Sequence, residues 1–331
     1  MRDRLAAWLE SIWYGRQPVP GALALLERCY ATLLALRRAL YASNWLRSEV
    51  LPRPVVVIGN LTAGGTGKTP LVVWLVRELS LRGWQPGVIL RGYRGRARSP
   101  RRVNADDDAA EVGDEALLIA RATGVPVAIG RRRAAAGRLL VDACDVLVSD
   151  DGLQHWALQR DIEIAVVDGE RRYGNGRLIP AGPLREPLER LSRVDHVVAN
   201  GAAQPGEIAM QVSGSRAVSM RDPTRIVALE TLRGRTVHAV AGIGNPARFF
   251  ALLRGFGIEV VPHAYPDHHD YHGRELDLPG SDPILLTEKD AVKCAAFASS
   301  RVHVVPVEAE LPAQLADQVH ASLHRLREAR A

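Results

Sequence analysis

Residues 55–70 of the chain read VVVIGNLTAGGTGKTP. A run of β-branched residues leads into a glycine-rich loop, and the Gly-Lys-Thr of residues 67–69 opens an apolar, helix-like stretch. This order is typical of a phosphate-binding loop, in which backbone N–H groups and a helix N-terminus face phosphate oxygens while the lysine reaches the β- and γ-phosphates. The stretch therefore predicts an α/β fold with a nucleotide site formed by Gly64, Gly65, Thr66, Gly67, Lys68 and Thr69.

One position departs from the usual pattern of such loops. The pattern has a glycine where this chain has Thr62. We expect Gly64 and Gly65 to supply the missing flexibility. The alternative is a chance glycine turn between a strand and a helix, but the order of the three elements favours the nucleotide site.

The fold class follows from the alternation of apolar strands with helical patterns over the first 200 residues. Continuous apolar strands separated by helices predict a mostly parallel sheet of the P-loop kinase type, with helices on both faces. A second, smaller α/β pattern follows a glycine- and proline-containing connection. The predicted units are an N-terminal amphipathic helical segment (1–48), a nucleotide-binding domain (49–205), linker strands (206–232) and a C-terminal α/β domain (233–331).

The composition is that of an ordinary globular protein. Of the 331 residues, 47% are apolar and 24% are charged, and the net charge of +6 suits nucleic acid, anionic lipid or phosphorylated substrates without choosing among them. The three cysteines, Cys29, Cys144 and Cys294, are scattered and form no C-x-x-C pair. A reducing compartment is therefore expected, and a structural zinc site is not.

Residues 21–41 form a leucine- and alanine-rich segment that contains four charges, too many for a convincing bilayer span. A helical wheel places the charges on one side and an apolar stripe on the other. Two interpretations stay open: a helix packed on its own domain, or an amphipathic helix lying on an anionic membrane surface. The stripe consists of Leu25, Cys29, Leu33, Leu36 and Leu40.

Acidic residues follow or precede predicted elements at two places. Asp150 and Asp151 end an apolar strand, where ligands of α/β sheets bind, and are candidates for holding Mg²⁺; the alternative is a turn cap. Gln154 follows within one turn. Asp114 and Glu115 open a helix, where acidic residues often serve only as caps.

Two further segments carry polar groups. Residues 266–271 place His268 and His269 between carboxylates, a pattern compatible with a metal site, a proton relay or a solvated turn. Residues 287–290, TEKD, resemble a guanine-reading N-K-x-D loop only superficially, because the lysine comes one place late. This weakens a GTPase interpretation.

Taken together, these segments resemble the tetraacyldisaccharide 4′-kinase family of lipid A biosynthesis. The resemblance covers most of the chain. It also implies that Thr62, in place of the first loop glycine, is normal for this family. The motifs that carry it are 59–70 GNLTAGGTGKTP, 91–93 RGY, 112–115 VGDE, 149–155 SDDGLQH, 174–176 GNG, 180–187 PAGPLREP, 241–246 AGIGNP, 267–269 DHH and 287–290 TEKD.

The resemblance implies a kinase that uses ATP and Mg²⁺ to phosphorylate the 4′-hydroxyl of a tetraacyl glucosamine disaccharide 1-phosphate. It implies a peripheral protein on the cytoplasmic face of the bacterial inner membrane, and it favours the membrane-surface interpretation of the N-terminal helix. Neither a nucleic acid nor a stable protein partner is expected.

The resemblance also implies roles for individual residues. Asp114 becomes the catalytic acid or base, paired with His268, with His269 as the alternative, and Lys68 is the third catalytic residue. The implied metal environment comprises Thr69, Asp150, Asp151, Gln154 and Glu115. The implied substrate contacts are Tyr93, Arg133, Asn175 and Arg185, of which Arg133 has an ambiguous register because Arg131 and Arg132 precede it.

Two competing functions differ in class. A P-loop GTPase or metallochaperone of similar architecture predicts a guanine-reading motif or metal-binding Cys/His spacing. A non-enzymatic protein that binds membranes or nucleic acids through its basic charge leaves the phosphate loop without a purpose.

Overall fold

The computed structural model describes residues 2–15 and 17–330, and the larger of its two sheets has nine strands. In chain order these are β1 (Val55–Gly59), β2 (Pro86–Leu90), β3 (Arg101–Val103), β4 (Val127–Ile129), β5 (Val146–Asp150), β6 (Ile162–Asp168), β7 (His196–Asn200), β8 (Ile208–Ser213) and β15 (Glu308–Glu310). The spatial order is β15-β8-β7-β6-β1-β5-β2-β4-β3. The seven inner strands are parallel, and only the edge strands β15 and β3 are antiparallel. The predicted mostly parallel sheet is confirmed.

The smaller sheet has six strands. They are β9 (Arg216–Ser219), β10 (Ile226–Ala228), β11 (Thr236–Ala241), β12 (Glu259–Ala264), β13 (Ile284–Thr287) and β14 (Val302–Val305), in the spatial order β10-β9-β14-β13-β11-β12. Strands β12, β11, β13 and β14 are parallel, and β9 and β10 complete the sheet in antiparallel fashion.

Helices cover both faces of the larger sheet and connect the strands of the smaller one. They are α1 (Arg2–Trp13), α2 (Gly21–Ala42), α3 (Lys68–Leu81), α4 (Ala109–Val112), α5 (Asp114–Thr123), α6 (Arg133–Arg138), α7 (Pro246–Gly255), α8 (Glu288–Cys294) and α9 (Gln314–Arg330). Helix α3 buries Leu71, Leu75 and Leu79 in the main core because these residues lie on one face at helical spacing.

The order of the strands places the candidate site. Strand β1 lies between β5 and β6. After β1 the chain forms β2, β3, β4 and β5, all on one side of β1, and then forms β6 on the other side. The phosphate loop follows β1, and Ile58 of β1 pairs with Asp150 of β5. The loop and the acidic strand end therefore lie side by side at the carboxyl edge of the sheet, where ligands of open α/β sheets bind.

The topology divides the chain differently from the predicted units. Strand β8, predicted as a linker, belongs to the larger sheet, while β9 and β10 belong to the smaller one. Strand β15 and helix α9 return to the larger sheet, where α9 buries Leu315, Val319 and Leu323 in the same core as α3. A three-residue edge strand and a terminal helix carry no local signal of which sheet they join. We therefore assign residues 308–330 to the nucleotide-binding unit.

Candidate active site

The phosphate loop has the backbone that its glycines predict. Gly64 (φ 107°) and Gly67 (φ 89°) have left-handed backbones, and Gly67 caps the N-terminus of α3. Thr62 is not among the described residues with positive φ, so threonine replaces the usual glycine without strain. Its carbonyl instead accepts a hydrogen bond from the buried Asn60 amide at 2.8 Å.

Lys68 and Asn200 fix the loop from two sides. The Lys68 ammonium donates to Asn60 Oδ1 at 3.1 Å and lies 3.5 Å from Asp151 Oδ1. Asn200, at the end of β7, donates from Nδ2 to the Thr66 carbonyl at 3.1 Å. A Cβ on Gly67 would lie 2.3 Å from Asn200 Nδ2, so this glycine is required by space as well as by φ.

The two aspartates at the end of β5 have different surroundings. Asp150 is 2% exposed, and burial together with the nearby Glu115 carboxylate raises its pKa to about 7, although Lys68 opposes the shift. Asp151 has a left-handed backbone (φ 46°) and accepts from Arg185 Nη1 at 3.2 Å. Burial disfavours its charge, but Lys68 and Arg185 outweigh that effect and lower its pKa to about 2.

The donor set at this strand end fits Mg²⁺. Asp150 Oδ1 is buried and has no hydrogen-bond partner among the residues that the structure describes, and a hard cation would satisfy it. Within the described residues, no three His, Cys, Asp or Glu side chains group closely enough to hold a metal by themselves. Magnesium sites of kinases commonly use one or two carboxylates and complete the shell with water and substrate phosphates.

The other implied metal ligands make different contacts. Thr69 lines the cavity beside Lys68. Gln154 donates to the Asn60 carbonyl at 3.1 Å and to Glu186 at 3.2 Å, and Glu115 accepts from Lys289 at 2.9 Å.

Asp114 and His268 meet across the two sheets. His268 Nδ1 lies 2.9 Å from Asp114 Oδ2, although the two residues are 154 positions apart in the chain. Asp114 is 6% exposed. Burial would raise its pKa, but the hydrogen bond with His268 and the charges of Lys289 and Lys293 give a net lowering. The group is therefore a carboxylate held by donors rather than a neutral acid.

The backbone of His268 decides which histidine reaches Asp114. His268 has a left-handed conformation (φ 60°); its N–H donates to the Gly242 carbonyl at 3.1 Å, and its own carbonyl accepts from Arg94. His269 faces elsewhere, with Nε2 3.2 Å from Glu275 Oε1 and its ring stacked on Tyr265. Of the two histidines left open by the sequence, the geometry favours His268.

The site lies in a cavity of about 1110 Å³ bounded by both sheets. Among the implied substrate contacts, Tyr93, Arg133 and Arg185 line this cavity. The Tyr93 ring lies 5.1 Å from the His268 ring. Arg133 is 4% exposed, and burial lowers its pKa to about 10. Its guanidinium lies 3.4 Å from the Asp150 carbonyl, so it also supports the strand end.

Asn175 lies outside the cavity. Its amide donates to the Ala181 carbonyl at 2.9 Å and to the Ile12 carbonyl at 3.3 Å, and its Oδ1 accepts from the Arg177 N–H. These contacts use both ends of the side chain to fasten a loop to α1. The structure therefore does not bring Asn175 to the other candidate substrate residues.

Helix α2 turns its polar face toward the site. Tyr30 donates to the Arg185 carbonyl at 2.7 Å, Arg37 donates to the Gln154 carbonyl at 3.2 Å, and both side chains line the cavity. No residue of α2 is buried, and the apolar stripe faces away, with Leu25, Leu33 and Leu36 exposed by 63%, 65% and 55%. This orientation is the reverse of a surface helix packed on its own core.

Several residues of the site could not be found by sequence reasoning. Arg248 of α7 donates to Asp168 Oδ1 of β6 at 3.0 Å, and this contact joins the two units beside the phosphate loop. Gly244 approaches the loop so closely that a Cβ on it would lie 2.6 Å from the Gly65 nitrogen. Lys289 contacts His268 Nε2 at 3.2 Å. Gly244 and Lys289 lie in the AGIGNP and TEKD strings that carry the family resemblance, but the sequence assigned no role to either residue.

Comparison with known proteins gives a consistent result. The sequence model of the family described as tetraacyldisaccharide-1-P 4′-kinase matches residues 20–324. A tetraacyldisaccharide 4′-kinase of Stenotrophomonas maltophilia is 51% identical over 312 residues, covering 91% of this chain and 92% of that protein. One of Alkalilimnicola ehrlichii is 49% identical over 332 residues, covering 96% and 97%. A crystal structure of LpxK from Aquifex aeolicus in complex with ATP superposes with a TM-score of 0.76 at 27% identity, covering 91% of this chain and 98% of that one.

Proposed function

The chain belongs to the tetraacyldisaccharide-1-P 4′-kinase family, and on this premise we propose that Asp114, oriented by His268, accepts the proton of the acceptor hydroxyl. The chain is an ATP-dependent kinase that phosphorylates the 4′-hydroxyl of the tetraacyl disaccharide 1-phosphate precursor of lipid A. The kinase interpretation of the sequence is thereby confirmed over the GTPase-like alternative.

One observation carries the proposal for Asp114. Its carboxylate lies at the N-terminus of α5, 2.9 Å from His268 of the other unit. His268 and the neighbours of Asp114, Gly113 and Glu115, line the cavity that Lys68 and the phosphate loop also line. A proton acceptor, a phosphate site and space for a second substrate therefore lie next to one another in the cleft between the two units. Because its pKa is lowered, Asp114 is a weak base. A weak base suffices where the transition state is loose and positioning dominates catalysis.

The remaining residues have supporting roles in this proposal. Lys68 and the N–H groups of the loop bind the β- and γ-phosphates, and Asp150, Asp151 and Thr69 would hold Mg²⁺. When bound, Mg²⁺ would supply charge neutralisation for the transferred phosphoryl group. Tyr93 and Arg185 contact the acceptor side. Because the catalytic pair joins both units, it is complete only while the two sides of the cleft are together, as they are here.

The exposed stripe of α2 supports a peripheral position at the membrane surface. No helix in the described ranges 2–15 and 17–330 is long and apolar enough to cross a bilayer. The leucines of α2 form one face, and Trp45, 83% exposed, lies just beyond the end of the helix. We propose that this face lies on the cytoplasmic leaflet of the inner membrane and delivers the lipid acceptor to the cavity through the Tyr30 and Arg37 side of the same helix.

Phosphate transfer from γ-labelled ATP to tetraacyl disaccharide 1-phosphate in detergent micelles tests the function. We expect a doubly phosphorylated lipid from the unmodified protein and none from Lys68→Ala. Binding of ATP without any lipid product by the unmodified protein would overturn the assignment of the acceptor.

A further inference from the structure

Lysine is rare in this chain, which has 40 arginines and three lysines. All three lysines lie at the site: Lys68 is 3.5 Å from Asp151, Lys289 is 3.2 Å from His268, and Lys293 is 3.8 Å from Asp114. A guanidinium is a planar fork, whereas an ammonium is compact and directs three donors to different sides. The chain therefore uses lysine only at the site, and two of the three lysines lie outside the phosphate loop.

The ammonium of Lys289 has as many acceptors as donors. Its Nζ lies 2.9 Å from Glu115 Oε1, 3.2 Å from Asp267 Oδ1 and 3.2 Å from His268 Nε2. The Glu115 and Asp267 contacts are ion pairs with two carboxylates, which an ammonium satisfies and a neutral amine does not. Lys289 is therefore charged, and a charged ammonium donates hydrogen bonds but cannot accept them.

These contacts determine the protonation of the His268 ring. Because Lys289 donates to Nε2, that nitrogen must carry a lone pair, and the single ring proton belongs on Nδ1. Nδ1 is the nitrogen that lies 2.9 Å from Asp114 Oδ2, where a donor is needed. The contacts on the two sides of the ring thus require the same neutral tautomer.

We propose that Lys289 is a positioning residue for the kinase reaction, holding His268 as the neutral Nδ1–H tautomer so that the ring donates to Asp114. This inference rests on the proposed function, in which Asp114 accepts the hydroxyl proton. With Nε2 occupied by Lys289, His268 cannot take that proton itself. The imidazole then serves to orient the carboxylate, and proton transfer is directed to Asp114.

The groups that face the ring show what the loss of Lys289 would do. Asp267 Oδ2 lies 3.7 Å from Nε2 and would become its nearest charged neighbour. A carboxylate at that distance favours a proton on Nε2. The titratable and charged side chains around the ring are Asp114 and Glu115 of α5, Asp267 beside it in sequence, Lys289 and Lys293 of α8, and Tyr93 and Arg94 after β2.

Nitrogen-15 NMR of the histidine rings in the full-length protein tests the protonation directly. In the unmodified protein at neutral pH, we expect His268, assigned by comparison with His268→Gln, to show a protonated Nδ1 and an unprotonated Nε2. In Lys289→Met, which keeps the length of the side chain, Nε2 should gain a proton. A protonated Nε2 in the unmodified protein would overturn the proposal even if the variant failed to fold.

The kinetic test separates positioning from structural support. Lys289→Met should lower kcat about tenfold to hundredfold, part of the effect of a general acid or base, and change KM for ATP less than about twofold. An unchanged kcat, or a kcat loss with His268 nitrogens that do not change, would contradict the positioning role.

Lys293→Met is the matched control for the spectrum. It removes an ammonium from the same helix, but Lys293 contacts Asp114, Asp290 and the His269 carbonyl rather than the His268 ring. We expect its His268 nitrogen shifts to match those of the unmodified protein, and a protonated Nε2 in this variant would contradict the specific role of Lys289. Because NMR needs no turnover, this result stands whether or not Asp114 proves to be the proton acceptor.

Discussion

At the scale of residues, sequence predicts those side chains that belong to a local pattern. Lys68 and Asp150 follow from a strand end and its loop, and Asp114 follows from a helix start together with the family resemblance. The choice between His268 and His269 needed the left-handed backbone at 268, which no spacing reveals. The sequence assigned no role to Lys289, because its partner Glu115 is 174 positions away in the chain.

The pKa of Asp114 depends on its histidine. Burial raises this pKa, and the hydrogen bond from His268 is the largest effect that lowers it. Because the folded-state pKa lies below the unfolded value, the stabilisation is complete above about pH 4 and is lost as pH falls through the folded value. We predict that His268→Ala raises the pKa of Asp114, measured by carbon-13 NMR of the carboxyl group. A midpoint that stays the same or falls would contradict the pairing.

Gly67 is required by its close approach to Asn200 as well as by its backbone. We predict that Gly67→Ala weakens ATP binding at least tenfold, because the new Cβ would lie 2.3 Å from Asn200 Nδ2 where the phosphate loop meets the N-terminus of α3. Gly83→Ala is the control: Gly83 has a similar φ of 84° but open space around it, so this change carries the backbone strain alone. Calorimetric titration with ATP measures both. Equal affinities in the two variants would contradict the steric requirement.

At the scale of elements, the central strands and helices were predictable because their apolar periodicity is strong. The sequence predicts strands at β1 and β5 and a helix at α3, and the structure has them within a few residues. Strand β3 has no such periodicity, since its three residues gain their order only by pairing with β4. The apolar face of α2 follows from the spacing of its leucines, but the outward direction of that face depends on contacts of the polar face with distant loops.

The outward apolar face of α2 can be tested for membrane binding by substitution of its leucines. We predict that replacing Leu25, Leu33 and Leu36 together by Ser lowers partition onto anionic phospholipid vesicles about tenfold or more, because each leucine contributes on the order of 1.5 kcal/mol or more when fully buried. Flotation with vesicles of phosphatidylethanolamine and phosphatidylglycerol measures it. Leu81→Ser, an 80% exposed leucine at the end of α3, is the control and should bind like the unmodified protein. Undiminished partition of the triple variant would contradict the membrane-facing orientation.

At the scale of the whole molecule, the two sheets share one cleft and are joined by two chain crossings. The first runs from β8 to β9 and the second from β14 to β15, and Ser213 and Glu308 pair beside them. Sequence indicated two α/β units but not the second crossing, because nothing local distinguishes a linker from a returning edge strand. The Asp114–His268 contact depends on this arrangement, since each unit supplies one of the two residues.

The two crossings are packed against each other at Gly214. A Cβ there would lie 2.6 Å from the Pro306 carbonyl oxygen. We predict that Gly214→Ala lowers the free energy of unfolding by about 1–3 kcal/mol, the usual range for a steric clash with the backbone. Chemical denaturation measures this free energy. Gly255→Ala at the end of α7, where the space is open, is the control and should be neutral or slightly stabilising. Equal stabilities would show that the crossings are not tightly packed.

The most direct measurement of the central claim is the steady-state kinetics of Asp114→Asn with ATP and tetraacyl disaccharide 1-phosphate. The amide keeps the size of the side chain but cannot accept the hydroxyl proton in the same way. If Asp114 is the proton acceptor, kcat falls by about 10²–10⁴-fold while KM for ATP is little changed. Turnover close to that of the unmodified protein would contradict the assignment of Asp114 and, with it, the role given to His268.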